Sequence, residues 1–359
     1  MRKNVMIRLL CLVVAGVVLS GAVAYAAVTG SPYETLKNAA LDAITQRNVT
    51  VEACMTGTIN GEVQTDDKTF YIASEDSCLQ YYYDSDGEIE GYNYSTDGLS
   101  IYTSIIGKDG KQWYSAYISP ASRYPYTRNY NSMGLISPED RNSAKMRFFE
   151  VLADVLIGDL KNNISMSSSG GVREVRATWT ESQMPELVKA GLDMYIEQFN
   201  SAGYRYPTEN PTRDDYEGYD PLEIPMKSVA IEYVTVYAKI DADGNLLHID
   251  FSGKCVATNI FGDSNELEVK VSANFTDIGT SNPECIIKDA SKTLTAEYAK
   301  KRFGKDYITV YFTLNDDGTI DVGSVTTMYP GETQKYSLKQ DVDDFDFAYY
   351  DKDYDIFIG

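Results

Sequence analysis

From residue 49 onward the chain alternates. Segments 49–64, 69–83, 89–94, 99–106 and 112–119 are rich in Tyr, Ile, Val and Thr and carry a two-residue apolar period, the signature of half-buried strands. Asp86-Gly87, Asp97-Gly98 and Asp109-Gly110 separate several of them. Asp-Gly pairs supply the positive φ angles that tight hairpins need, so this stretch predicts an antiparallel meander. The first hairpin has two possible turns, one around Asp66 and one at Asn60-Gly61.

Helices frame that meander. Residues 33–45 place Leu36, Ala39, Ala40 and Ile44 at helical spacing behind Ser31-Pro32 as a start signal. Residues 120–137 read as a Tyr/Pro loop. Ser137-Pro138 then opens a second helix with Met146, Phe149, Leu152, Ala153, Leu156 and Leu160 along one face. A strand at 172–180 precedes a third helix, 181–199, whose apolar face holds Leu187, Leu192, Tyr195 and Phe199. After another Tyr/Pro/Asp loop at 203–225 come three strands, 229–240, 246–258 and 267–275. In the last, Leu267, Val269, Val271, Ala273 and Phe275 face one way and Glu268, Lys270, Ser272 and Asn274 the other. Residues 290–338 read as a helix and a hairpin through Asp316-Asp317-Gly318. The tail, 339–359, alternates Asp with Phe, Tyr and Ile and reads as an edge strand or, preferably, a partly disordered interaction segment.

Residues 1–28 place the chain in the cell. Arg2, Lys3 and Arg8 precede an uncharged run from Leu9 to Val28 that contains Ala24-Tyr25-Ala26. That order is a secretory signal with cleavage expected after Ala26. About 20 uncharged residues can also span a bilayer, so an uncleaved N-terminal anchor is the alternative. Either way the body lies outside the cytoplasm, secreted or held at the outer face of the membrane. Cys11 sits inside the apolar run, where it cannot serve as a lipid anchor.

Removing residues 1–26 takes away those three basic residues and no acid, leaving 29 basic against 53 acidic residues, a net of −24. Such a surface repels phosphate backbones and excludes nucleic acid as a partner. Its plain reading is solubility. Four cysteines remain, Cys54, Cys78, Cys255 and Cys285. An even number in an exported chain favours two bridges, with three connectivities open, and buried thiols are the alternative. Cys54 and Cys78 oppose each other only if the first hairpin turns around Asp66.

Catalytic chemistry is constrained mostly by exclusion. His248 is the only histidine and sits mid-strand, so it reads as an ordinary sheet residue. No HExxH, G-x-S-x-G, Walker or S-x-x-K motif occurs, and neither a metal nor a cofactor is expected. Asp84-Ser-Asp86-Gly and Asp241-Ala-Asp243-Gly lack the remaining ligands of a calcium loop and read as hairpin turns. Tyrosine is abundant, 29 residues. Its clusters at 81–83, 113–117 and 124–130 suit half-exposed strands, or a surface that stacks on sugars or lines an apolar cavity.

The order of elements resembles the lipoprotein-carrier (LolA-like) superfamily over residues 31–287. The resemblance is carried by SPYETLKNAAL (31–41), RFFEVLADVL (147–156), TWTESQMPELVKAGL (178–192), VTVYAKIDADGNLLHIDFSG (234–253) and LEVKVSANFTDIGTSNP (267–283). It implies an α+β, β-rich fold: a curved antiparallel half-barrel with helices covering the concave side, plus a small C-terminal α/β extension. The expected organisation is a signal at 1–26, the half-barrel at 27–287, a module at 288–338 and the tail. The implied function is a non-enzymatic cell-envelope protein that binds a lipid or acyl chain. Candidate cavity residues are Phe149, Leu152, Leu156, Leu192 and Tyr195. A sensor or interaction module engaging another envelope protein is the second reading, and a carboxylate-dependent hydrolase of wall glycans the third.

Overall fold

A computed structural model describes residues 31–83, 89–96, 98–106, 111–120, 143, 144, 147, 148, 151, 158–203, 212–216, 224–305, 307–327, 349–351 and 356–358. The N-terminal signal, the first D-x-D-G stretch and most of the 120–157 segment therefore lie outside the described residues. Among those described, no helix is long and apolar enough to cross a membrane.

Helix α1, Pro32–Thr45, starts behind Ser31 with proline in its first turn, as its sequence dictates. The meander follows as β1 (Val49–Ile59), β2 (Glu62–Ala73), β3 (Ser77–Tyr83), β4 (Ile89–Thr96), β5 (Leu99–Ile106) and β6 (Gln112–Ile118). The first hairpin turns at Asn60-Gly61, with φ of 51° and 82°, the paired left-handed geometry of a two-residue hairpin. Expected segment 49–64 is thus the whole of β1 and the start of β2. Strand β7 (Ile164–Ser169), not anticipated from its serine-rich sequence, forms a hairpin with β8 (Val172–Thr180). Leu160, expected on a helix face, lies buried in a 3-10 turn over Gly158–Asn163, where its carbonyl accepts a 2.9 Å hydrogen bond from Trp179 Nε1.

Pro185 delays the next helix. Residues 181–183 form a 3-10 turn closed by a capping box between Thr180 and Gln183, and α2 runs Glu186–Gly203. Strands β9 (Met226–Ile240), β10 (Leu246–Asn259) and β11 (Ser264–Thr276) then complete the second half. Helices α3 (Ala290–Thr293) and α4 (Ala296–Phe303) lead into β12 (Ile308–Phe312), which pairs with β6. In the tail, β13 (Tyr349–Asp351) and β14 (Ile356–Ile358) pair with each other.

The fold is an open, antiparallel twelve-stranded sheet in the order β12-β6-β5-β4-β3-β2-β1-β11-β10-β9-β8-β7. It is α+β and β-rich with few helices, as a curved half-barrel requires. Bulges at Gly57/Thr58 and Lys254/Cys255 interrupt the register within the long strands, the device by which wide sheets bend.

The two halves of this sheet bury opposite faces. One row across the ladder runs Phe275–Val51–Tyr71 and continues Gln80–Asn93–Tyr102–Ser115, apolar and then polar. The adjacent row, on the other face, runs Thr276–Thr50 and continues Ile72–Leu79–Tyr94–Ile101–Ala116–Val310, polar and then apolar. The first core packs Tyr33, Leu36 and Ala39 of α1 against Val51, Trp179, Val236, Phe251 and Phe275. The second packs Leu294 and Ala299 of the C-terminal module against Leu79, Tyr94, Ile101, Tyr114 and Phe312. Strand β2 is the hinge of this exchange, because Phe70-Tyr71-Ile72-Ala73 is apolar on both parities.

Candidate functional site

Two surfaces of the β8–β9–β10–β11–β1 half have the geometry of a binding site, one on each face. The first is the helix-covered apolar face. Leu192 lies on α2, 4% exposed. One turn further on, Ile196 joins Ile59, Met226, Cys255, Ala257 and Leu267 in a cluster separate from the α1 core. Tyr195 also lies on α2. Phe149, Leu152 and Leu156 fall outside the described residues. Between the two clusters sits a small group, Val269 with Met55 and Val271. Among the described residues, no side chain of α1 or α2 belongs to that group. Its row across the sheet reads Gly57–Val269–Gly253, so the residues flanking Val269 carry no side chain. Val269 itself is buried, 4% exposed.

The four cysteines correct the bridging expectation. None of them is in a disulfide. The turn at Asn60-Gly61 sets Cys54 opposite Lys68 and Ser272, while Cys78 lies opposite Ala73 and Ser95. Register alone therefore keeps Cys54 and Cys78 apart. Cys255 belongs to the cluster under α2, where burial and then the nearby Glu232 push its thiol up to about 12. Cys285 packs at the edge of the second core, raised by burial, and accepts a 3.2 Å hydrogen bond from Tyr92 Oη.

The second surface is a groove of about 670 Å³ on the opposite, polar face. Five strands supply it in two rows. The first is Cys54–Ser272–Asp250–Tyr237–Arg176 and the second Thr56–Lys270–Ser252–Thr235–Thr178. The Arg176 guanidinium lies 5.0 Å from the Tyr237 ring centroid and 2.9 Å from Glu174. Lys270 pairs with Glu268 at 3.1 Å, and the hydroxyls of Thr235 and Ser252 meet at 2.5 Å. Partial burial raises the Glu268 carboxyl, but hydrogen bonds from Lys270 and Tyr233 outweigh it and leave it below the ordinary carboxylate value.

His248 stands at the rim of this groove as a structural sheet residue, with Nε2 2.9 Å from Asp250 and Nδ1 2.7 Å from Asn274. The Asp241-Ala-Asp243-Gly244 stretch is a hairpin turn. Asp241 accepts hydrogen bonds from the Asn245 backbone at 2.8 Å and side chain at 2.9 Å. Among the described residues no group of three His, Cys, Asp or Glu side chains is placed to hold a metal ion. None of the groove residues was singled out from the sequence as binding. Their signal is the polar parity of strands whose other parity is apolar, already visible at Glu268, Lys270, Ser272 and Asn274.

No family model matches the chain, and no curated protein matches it. Among solved structures, the LolA superfamily protein NE2245 from Nitrosomonas europaea aligns over 75% of this chain and 100% of its own, with 7% identity and a TM-score of 0.19. Rv2717c from M. tuberculosis aligns over 66% of this chain and 95% of its own, with 8% identity and a TM-score of 0.15. Scores this low carry no argument.

Proposed function

We propose that this is an exported, non-enzymatic cell-envelope protein that holds a hydrophobic ligand, a lipid or an acyl chain, between α1, α2 and the sheet. The observation that carries the reading is the strip around Val269. It is apolar, and the residues paired with Val269 on both neighbouring strands, Gly57 and Gly253, carry no side chain. A linear hydrocarbon suits such a surface, because its affinity comes from apolar area removed from water, about 25 cal/mol per Å², with few polar contacts required. The N-terminal charge and apolar pattern supports export, which puts the protein where acyl chains and lipidated proteins are found.

The test is native mass spectrometry of the protein purified from its own host's envelope, followed by solvent extraction. A discrete excess mass that extracts as lipid or acylated peptide is the expected result. Val269→Phe fills the strip and should abolish that excess mass while the protein still melts cooperatively. A bare mass for the parent chain, with no uptake of added fatty acid, overturns the carrier reading. A sensor or interaction module of the same fold would then lead.

A further inference from the structure

We infer that the outer edge of β7 is a strand-acceptor site, and that its occupant is the acidic tail of this chain, docked through the β13–β14 hairpin. The inference is independent of the apolar strip and of any lipid.

The two ends of the twelve-stranded sheet are finished differently. At the β12 end the chain closes its own edge. Tyr311 and Thr326 exchange backbone hydrogen bonds of 2.7 and 2.9 Å, and the Thr313 N–H donates to Ser324 Oγ at 2.8 Å. At the other end, no strand among the described residues pairs beyond β7. Gly170 and Gly171, both at positive φ, form a two-residue loop that makes Ser169 and Val172 a hydrogen-bonded pair. By alternation Ser167 and Ser165 also bond to β8, while Ile164, Met166 and Ser168 turn their N–H and C=O groups outward. Sheet edges are ordinarily guarded by lysine, proline or a bulge. Ile164–Ser169 has no charged residue, no proline and no register shift.

Charge and strand content then select the occupant. Residues 160–180 carry Lys161, Arg173 and Arg176 against Glu174 alone, in a chain of net charge −21. Pairing of β7 with β7 of a second copy would set two such basic hairpins side by side. Residues 339–359 are the opposite, seven aspartates against two lysines. They contain β13 and β14, which pair with each other and, among the described residues, with no other strand. Two strands of three residues each do not make a stable sheet in water, so this hairpin needs a third. Joined to β7, its apolar residues would lengthen the row in which Ile164 and Met166 pack on the α1 core. Reach permits the contact within one molecule. The main sheet is eleven strand spacings wide, roughly 53 Å along its surface. The chain from 328 to 348, which leads from the β12 end to the hairpin, extends to about 70 Å.

Hydrogen exchange resolved to single amides, on the chain purified from its host's envelope, tests this. The Met166 and Ser168 amides should exchange at least tenfold more slowly in the parent than in a variant carrying Tyr350→Pro and Phe357→Pro, which removes one ladder donor from each tail strand. Ser168→Pro, which an unpaired edge tolerates, should in turn speed exchange of the 349–358 amides by a similar factor. Both variants should melt at the parent temperature. Met166 and Ser168 amides that exchange at unstructured-peptide rates in the parent overturn the inference. Protection that the two tail prolines leave intact also overturns it, since another segment would then cover β7.

Discussion

The two halves of the sheet solve the same burial problem in opposite ways. Strands β7 to β11 and β1 hide one face beneath α1 and α2, while β3 to β6 and β12 hide the other beneath α3 and α4. The halves share one hydrogen-bonded ladder yet no core. The lesson is that a continuous sheet does not imply a continuous interior. It also explains why the polar groove exists: it is the face that the first half leaves open, on the side that the C-terminal module covers in the second.

The strongest way to break the comparison is Phe312→Ala. Phe312 is fully buried and stacks on Tyr114 at a centroid distance of 5.8 Å, so its loss should destabilise the protein by about 3–5 kcal/mol. Trp113 lies on β6 and Trp179 on β8, one reporter in each half. Denaturant melts in single-tryptophan backgrounds should show both reporters shifting together, because β2 pairs with β3 along the ladder. If only Trp113 shifts, the halves are separate folding units.

Thiol labelling sharpens the same contrast. Cys255 reports on the helix-covered half and Cys285 on the module half, whereas Cys54 is exposed. At pH 8 Cys54 should react first. Cys255 should be slowest, since a thiol at about 12 has roughly a thousandfold less thiolate than one near 9. Because the folded state holds that proton more tightly than the unfolded chain, the linkage has a definite sign. Stability should fall as pH rises from the unfolded thiol value through the folded one. Fast labelling of Cys285 alone in Phe312→Ala would show the module half opening by itself.

The smallest effect concerns the turn that sets the register. Gly61→Ala meets no atom within 4 Å, so it costs only the strain of φ 82°, about 1–2 kcal/mol. Chemical denaturation should report that loss with the m-value unchanged. A larger loss would mean that the β1–β2 register, and with it the separation of Cys54 from Cys78, depends on this turn more than on the ladder.

Much of the architecture was legible locally. The period-two runs located most strands, Ser31-Pro32 located α1, and the tight-turn pairs located hairpins, because each signal acts over a few residues. Strand β7 escaped because Ser165, Ser167, Ser168 and Ser169 carry no apolar alternation, being held by pairing with β8 rather than by burial. The onset of α2 was misplaced by five residues because a capping box closes a 3-10 turn before Pro185. On the expected apolar face of α2, Leu192 is buried, and the groove was not anticipated at all.

Taken alone, the amino-acid sequence determined the strand-rich class and the polar and apolar parity of most strands, since both reside in local pattern. Tertiary structure decided what each parity faces. Pairing of β1 with β11, across more than 200 residues of chain, brings Cys54 and Thr56 into the groove beside the rows of β8 to β11, and pairing of β12 with β6 closes the second core. The same pairing turns the two apolar parities to opposite sides. Register between distant strands is a property of the whole ladder, and no short window of residues contains it.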